Sequence, residues 1–302
     1  MQQLVRTFGS VTQMDYVTLA SGLPASSRLG FGCGSVMGRV GRAPSRRAMA
    51  AALDASITHF DVARSYGYGE AETLVSEALR GKRDKVVIAS KFGLNPSRSA
   101  GALRVLKPIA QQLVATVPGA RGALRSFVGG ASAPADRFSV TAAETSLNQS
   151  LAALKTDYLD ILFLHDCGED DLGGELVGFL DRQVGAGKIR AYGVATDIDT
   201  VVALNAAHGG RLIYQFANSL AVRNAERVAG SGCRIIAHSP FSGADNSRRA
   251  GDGDVHRAML AHALTSAGVD VVLCSMLDEA HLRSNLEVVE ELIEAEHRAP
   301  AA

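Results

Sequence analysis

The feature that most limits this chain is a rhythm. Eight short apolar runs recur along its 302 residues, with longer segments of helical periodicity between them. The runs are LGFGCG (29–34), ITHFDV (57–62), KVVIASK (85–91), YLDILFLH (158–165), IRAYGVA (189–195), RLIYQF (211–216), CRIIAHS (233–239) and VDVVLCS (269–275). Most are apolar almost without interruption rather than at every second position. A strand reads that way when both of its faces are covered, as in a parallel sheet flanked by helices. The stretches SRRAMAAALDAS (45–56), EAETLVSEALRG (70–81), TAAETSLNQSLAAL (141–154) and AHLRSNLEVVEELIEAEHR (280–298) instead place apolar residues three or four apart, as on one helix face. Thr141 followed by Glu144 predicts a capping box, and Gly81 predicts a glycine helix stop.

Eight such units fit either a closed (β/α)8 TIM barrel or an open doubly wound sheet. The first dinucleotide-binding turn of a doubly wound fold reads G-x-G-x-x-G and runs into a helix. Here GFGCGSVMG (30–38) has its glycines in another register, with no helical pattern directly after it. The number of units in a chain of this length favours the barrel, as a single domain over 1–302. With 31 basic and 31 acidic side chains the formal net charge is zero, which points to neither a nucleic-acid nor a membrane partner. Cys33, Cys167, Cys233 and Cys274 are scattered, without C-x-x-C or ligand-cluster spacing, so reduced thiols and no metal are expected. The opening MQQLVRTFGSVTQMDYVTLA has no basic region leading into an apolar stretch, and no uncharged apolar run of membrane-spanning length occurs. The expectation is a cytoplasmic protein.

One interval breaks the rhythm. Lys85 and Tyr158 open consecutive runs, yet they stand more than twice as far apart as most neighbours do. The surplus, at about 92–140, carries no Asp or Glu from Asn95 to Ala135 but holds Arg98, Arg104, Lys107, Arg121 and Arg125. A long loop after a barrel strand lies on the catalytic face. It reads either as a basic lid over an anionic ligand or as a solvated excursion.

Polar residues stop the early runs at corresponding places. The second ends on Asp61, with Tyr66 five residues on; the third ends on Lys91 and the fourth on His165. In a barrel these ends meet at one mouth. A phenol with a pKa of about 10 is a poor acid at neutral pH, and a neighbouring ammonium lowers that value. Asp61 would keep Lys91 charged and aimed. His165 would hydrogen-bond a carbonyl oxygen where negative charge builds. Tyr66 then becomes a general acid able to protonate an alkoxide formed by hydride delivery. Each residue alone has a plainer reading as a packing tyrosine, a turn aspartate, a surface lysine or a core histidine. Their joint placement on consecutive strand ends favours chemistry.

These segments resemble those of the aldo-keto reductase superfamily. FDVARSYGYGEAE is similar to its F-D-T-A-x-x-Y-G-x-x-E segment, and VVIASKFG to the strand bearing its catalytic lysine. SLNQSLAALKTDYLDILFLHD is similar to its S-L-x-x-L-x-T-D-Y-x-D-L-x-x-x-H run, and GKIRAYGVA to G-K-I-R-x-x-G-V-S. The resemblance covers about residues 20–295 and implies a (β/α)8 barrel that interconverts a carbonyl and an alcohol with NADP or NAD. By it, Asp61, Tyr66, Lys91 and His165 form the catalytic tetrad, and Gly32 and Asp61 also border the cofactor. Gln215 matches the family's carboxamide-holding Gln, while Ala195-Thr196 stands where the family has Ser-Asn, leaving Thr196 and Asp197 as candidates. His238 takes the place of a stacking aromatic, followed by Ser239, Phe241 and Gly243 at pyrophosphate positions. Asn285 matches the adenine-contacting Asn. Ser275 replaces a common Lys or Gly, and His281 stands where some members have an Arg for the 2′-phosphate. Arg248 and Arg249 offer another phosphate clamp or are solvated loop charges. The family favours NADP, and these departures predict weak discrimination between NADPH and NADH.

Two other readings use the same residues. The altered contacts at 195–196, 238 and 275 suit a cofactor-binding regulatory module with little turnover. A Schiff-base lyase using Lys91 is disfavoured by Asp61, which keeps the amine protonated. The substrate, the direction in vivo and the oligomeric state are not legible.

Overall fold

The computed structural model describes residues 14–37, 40–96, 134–208, 210–243 and 253–298. A short antiparallel pair, β1 (Tyr16–Val17) and β2 (Ser26–Ser27), comes first. Then follow β3 (Leu29–Gly32), β4 (His59–Asp61), β5 (Val87–Phe92), β6 (Leu159–His165), β7 (Ile189–Ala195), β8 (Ile213–Ala217), β9 (Arg234–His238) and β10 (Val269–Cys274). These eight close into a barrel in sequence order, with β10 returning to β3 and every neighbouring pair parallel. The eight apolar runs thus became the eight barrel strands.

Around them lie α1 (Arg42–Asp54), α2 (Ala71–Ala78), α3 (Val140–Leu154), α4 (Gly174–Gly185), α5 (Ile198–His208), α6 (Gly253–Thr265) and α7 (Glu279–Arg298). The sequence pattern assigns none of α4, α5 and α6. Helix α5 (IDTVVALNAAH) is apolar most of the way round and so displays no clean stripe, whereas α4 places Leu176, Phe179 and Leu180 on one buried face in spite of its glycines. Between β8 and β9 the wall is only the 3-10 turn Asn224–Arg227. Two local expectations need correction. Ser139, not Thr141, caps α3: its hydroxyl accepts the Ala142 amide, and Thr141 lies inside the first turn. Helix α2 stops at Ala78 with Leu79 as its cap, and Gly81 takes a left-handed conformation (φ 72°) in the turn beyond.

Two apolar layers hold the barrel. The outer one packs helices on the sheet's outer face and includes Phe31, Phe60, Leu74, Leu147, Leu162 and Leu180. The inner one fills the cylinder with Val87, Ala89, Ile161, Phe163, Ile213, Ile236 and Leu273, and Leu19 and Leu23 close it at the β1–β2 end. Strand side chains alternate, so a residue two positions after an inner one also faces inward. Lys91 follows Ala89, His165 follows Phe163, Gln215 follows Ile213, His238 follows Ile236 and Ser275 follows Leu273. The period of two therefore stacks a polar layer on the carboxyl end of an apolar plug. At Gly193 a Cβ would run into the Ile213 carbonyl, so only glycine lets β7 and β8 approach there. The β1–β2 floor is tied to β4 by the Ser26 hydroxyl on His59 Nδ1 (2.8 Å) and by Ser27–Thr58 bonds. Among the described residues no helix is long and apolar enough to cross a membrane.

Candidate active site

The polar layer opens into a cavity of about 820 Å³. Its deep wall is Asp61, Tyr66, Lys91 and His165, brought together from three strands and one loop. Lys91 Nζ donates to Asp61 Oδ1 (2.5 Å) and to the Val62 carbonyl (3.2 Å). Gln215 Nε2 donates to the other carboxylate oxygen, Asp61 Oδ2 (2.7 Å). Asp61, Lys91 and Gln215 are all buried. Each charge thus has its partner, the condition under which buried charges persist. The ammonium lies 5.0 Å from the centroid of the Tyr66 ring, and the His165 ring meets that ring edge-on at 5.9 Å.

The electrostatics depart from expectation at one point. Burial raises the Tyr66 pKa, and Lys91, which works the other way through charge and a hydrogen bond, does not reverse it. The neighbouring cation is outweighed by desolvation, which penalises the phenolate. Tyr66 therefore rests protonated at neutral pH. Burial by itself would lower the Lys91 pKa, but the Asp61 carboxylate and Tyr66 outweigh it and hold the amine charged. His165 is pushed down to about 3 by burial and by the Lys91 charge, so its ring is neutral. Its Nδ1 is buried without a partner, which leaves Nε2 to meet the cavity. Burial lowers His238 too.

Other expected contacts divide into three groups. Gly32, Thr196, Gln215, His238, Ser239, Phe241 and Ser275 line the cavity, as does Asp197. Several are already engaged: the Thr196 hydroxyl donates to the Cys167 carbonyl (2.7 Å), and Asp197 accepts the Asp199 and Thr200 amides at the start of α5. Ser239 holds a left-handed backbone (φ 57°), with its hydroxyl 3.0 Å from His238 Nδ1. Three residues stand off the cavity. Gly243 (φ 81°) packs on Ala221, where a Cβ would collide, and His281 is exposed on the first turn of α7. Asn285 is buried against His256 (Nε2 to Oδ1, 2.8 Å), whose ring stacks on Phe241 at 4.3 Å. Arg248 and Arg249 lie outside the described residues, as do Arg98, Arg104, Lys107, Arg121 and Arg125 of the long insertion. No group of metal-ligating side chains occurs among the described residues. Sequence reasoning missed Asp166, Asn224 and Ser242 on the cavity wall, as well as His256 behind it. No sequence motif marks them.

A parallel eight-stranded barrel with a buried Asp61–Lys91 pair beside Tyr66 and His165 at its carboxyl end places this chain among barrels with an enzyme-type mouth. Comparison with known proteins narrows the class. Residues 28–242 match the Aldo/keto reductase family, and the chain belongs to it. It is 30% identical over 195 residues to the aldo-keto reductase YhdN of Bacillus subtilis, a match covering 60% of this chain and 47% of that protein. It is 29% identical over 188 residues to 6-dehydroglucose reductase of Novosphingobium aromaticivorans, covering 57% and 49%. The chain thus spans about half the length of the curated relatives it matches. Among solved structures, an aldo-keto reductase of Bacillus halodurans in its holo form superposes with a TM-score of 0.69 at 21% identity, covering 96% of this chain and 98% of that one. An aldo-keto reductase of Klebsiella pneumoniae in complex with NADPH gives 0.62 at 22%, covering 92% and 93%.

Proposed function

We propose that this protein is an NAD(P)(H)-dependent oxidoreductase that interconverts a small carbonyl compound and its alcohol, with Tyr66 as the proton donor and acceptor. The observation that carries this reading is the buried Asp61–Lys91 pair beside the Tyr66 phenol at the mouth of a barrel of this family. The Klebsiella relative's complex with NADPH supports the cofactor class.

The donor set suits a nicotinamide dinucleotide. Gln215, with its Nε2 committed to Asp61, keeps its carbonyl oxygen for an amide donor. Thr196, with its proton given to Cys167, keeps lone pairs to accept. His238 and Phe241 offer flat ring surfaces, and Ser239, Ser242 and Ser275 line the same cavity. These residues would hold the cofactor, which when bound supplies or takes up the hydride. The protein's own part is the proton. Tyr66, protonated at rest, gives its proton to the carbonyl oxygen as negative charge develops there, and recovers it in the reverse direction. The Lys91 charge favours the phenolate that remains, and Asp61 keeps Lys91 charged and aimed. Neutral His165 directs an N–H toward the oxygen and fixes its position.

The test is absorbance at the reduced-nicotinamide band across aldehydes, ketones, sugars and steroids, with each cofactor. Tyr66→Phe should lose turnover by at least about a hundredfold while still binding cofactor. Unchanged turnover would remove Tyr66 from the mechanism. Cofactor binding with no turnover on any carbonyl would leave a binding module instead.

A further inference from the structure

A buried carboxylate lies outside the cavity, close to the loop that carries Tyr66. Tyr66 opens a turn in which the next three residues, Gly67 (φ 57°), Tyr68 (φ 59°) and Gly69 (φ 86°), are all left-handed. That conformation costs an L-residue such as Tyr68 roughly 1–2 kcal/mol. Consecutive residues keep it only where surrounding contacts over-determine it. The turn leads directly into α2, whose first turn holds Glu72, 1% exposed. Its Oε1 accepts the Ser90 hydroxyl (2.7 Å), and its Oε2 accepts Arg64 Nη1 (3.1 Å). Ser90 immediately precedes Lys91 and, by strand alternation, points outward when Lys91 points in. Arg64 lies two residues before Tyr66, and its Nη2 donates to Gln149 Oε1 on α3 (2.8 Å). One buried carboxylate therefore ties the lysine's strand to the tyrosine's loop from outside the barrel. Neither Glu72 nor Ser90 lines the cavity.

We infer that Glu72 is a positioning residue for the reaction: through Ser90 and Arg64 it sets the separation of the Tyr66 phenol and the Lys91 amine. This rests on the proposed role of that pair. The groups facing the phenol are Lys91, Asp61, Cys33 and His165, and the substitutions below change none of them. With the tie cut, Lys91 withdraws and its lowering influence on the phenol weakens, so the Tyr66 titration moves to higher pH.

The experiment compares wild type, Glu72→Gln, Glu72→Asp and Ser90→Ala by kcat, cofactor Kd from fluorescence titration, and phenolate absorbance against pH with Tyr66→Phe as blank. In Glu72→Gln, kcat should fall at least about tenfold, within the roughly hundredfold that a misplacement of about 1 Å costs. The phenolate midpoint should rise, cofactor Kd should hold, and Glu72→Asp should recover part of both losses. A fall in kcat with an unmoved phenolate midpoint would make Glu72 merely structural and overturn the inference, as would an unchanged kcat. Should Glu72→Gln fail to fold, Ser90→Ala, which removes a single hydroxyl, carries the same expectation. Should the wild type lack turnover, the reductase reading fails, and the phenolate titration still decides the positioning role.

Discussion

The two halves of this barrel are built on different terms. From β3 to β6 the polar groups at the strand ends spend their hydrogen bonds largely within the cluster: Lys91 on Asp61, Glu72 on Ser90. Asp61, Lys91, Glu72 and Ser90 are buried and paired before any ligand arrives. From β7 to β10 the cavity wall is made of loop and strand-end groups such as His238, Ser239, Phe241 and Ser275, and Asn285 bonds to His256 behind it. On the proposed mechanism the first half serves the proton. The second is a receptive surface of short local contacts, such as the Ser239 hydroxyl on His238 Nδ1, with no buried ion pair among its described residues. Gln215 on β8 joins them, because it reaches across to Asp61.

The largest effect that would sharpen this contrast is Asp61→Ala. It leaves the Lys91 charge buried without its partner, and should cost about 3–5 kcal/mol in denaturant unfolding together with turnover. A loss below about 1 kcal/mol would mean that the pair is solvated and the first half is not preorganised. Next is acid stability. His165 (about 3) and His59 (about 4) both lie below the ordinary histidine value, each chiefly through burial. The unfolded chain therefore takes up protons that the folded chain refuses. Stability should be fully present above about pH 6.5 and should fall toward pH 4, by up to about 1.4 kcal/mol per pH unit for each histidine. His238 is lowered by burial as well, so in His165→Gln the slope should become shallower without vanishing; an equal slope would place His165 in solvent. For the second half, His238→Ala should weaken cofactor binding about fivefold by removing a stacking surface while leaving kcat within about twofold. A collapse of kcat would tie His238 to the proton machinery and erase the distinction. Smallest is the choice of nucleotide. His281 and Arg283 are exposed, so NADPH should be preferred over NADH by about 1 kcal/mol or less in binding. A strong preference would assign the phosphate to Arg248 or Arg249.

The same contrast governs what could be read from residue order. Strand positions are dictated by burial on both faces, and burial leaves an apolar signature. The eight strands and their inward-facing ends at Asp61, Lys91 and His165 were therefore legible. Contacts between residues far apart in the chain leave no such mark. Nothing in the order of residues pairs Glu72 with Ser90, Gln215 with Asp61 or His256 with Asn285. The Tyr66 pKa was misjudged for a related reason: a neighbouring cation can be guessed from strand ends, whereas the depth of the phenol depends on everything folded around it. Helix α5 escaped notice because it is apolar nearly all round, and the α3 cap because Ser139 and Thr141 are both competent and only geometry chooses between them.

The cylinder's covering is uneven, and that has a mechanical meaning. Seven strands are each followed by a helix, but β8 is followed by the single turn Asn224–Arg227. Amide protons of Ile213–Ala217 should be the first of the staves to trade with heavy water. When that stave breathes, Gln215 goes with it and Asp61 is left holding the lysine alone. Stiffening that outer turn should therefore slow exchange at Ile213–Ala217 and hold Gln215 more firmly on the Asp61 carboxylate.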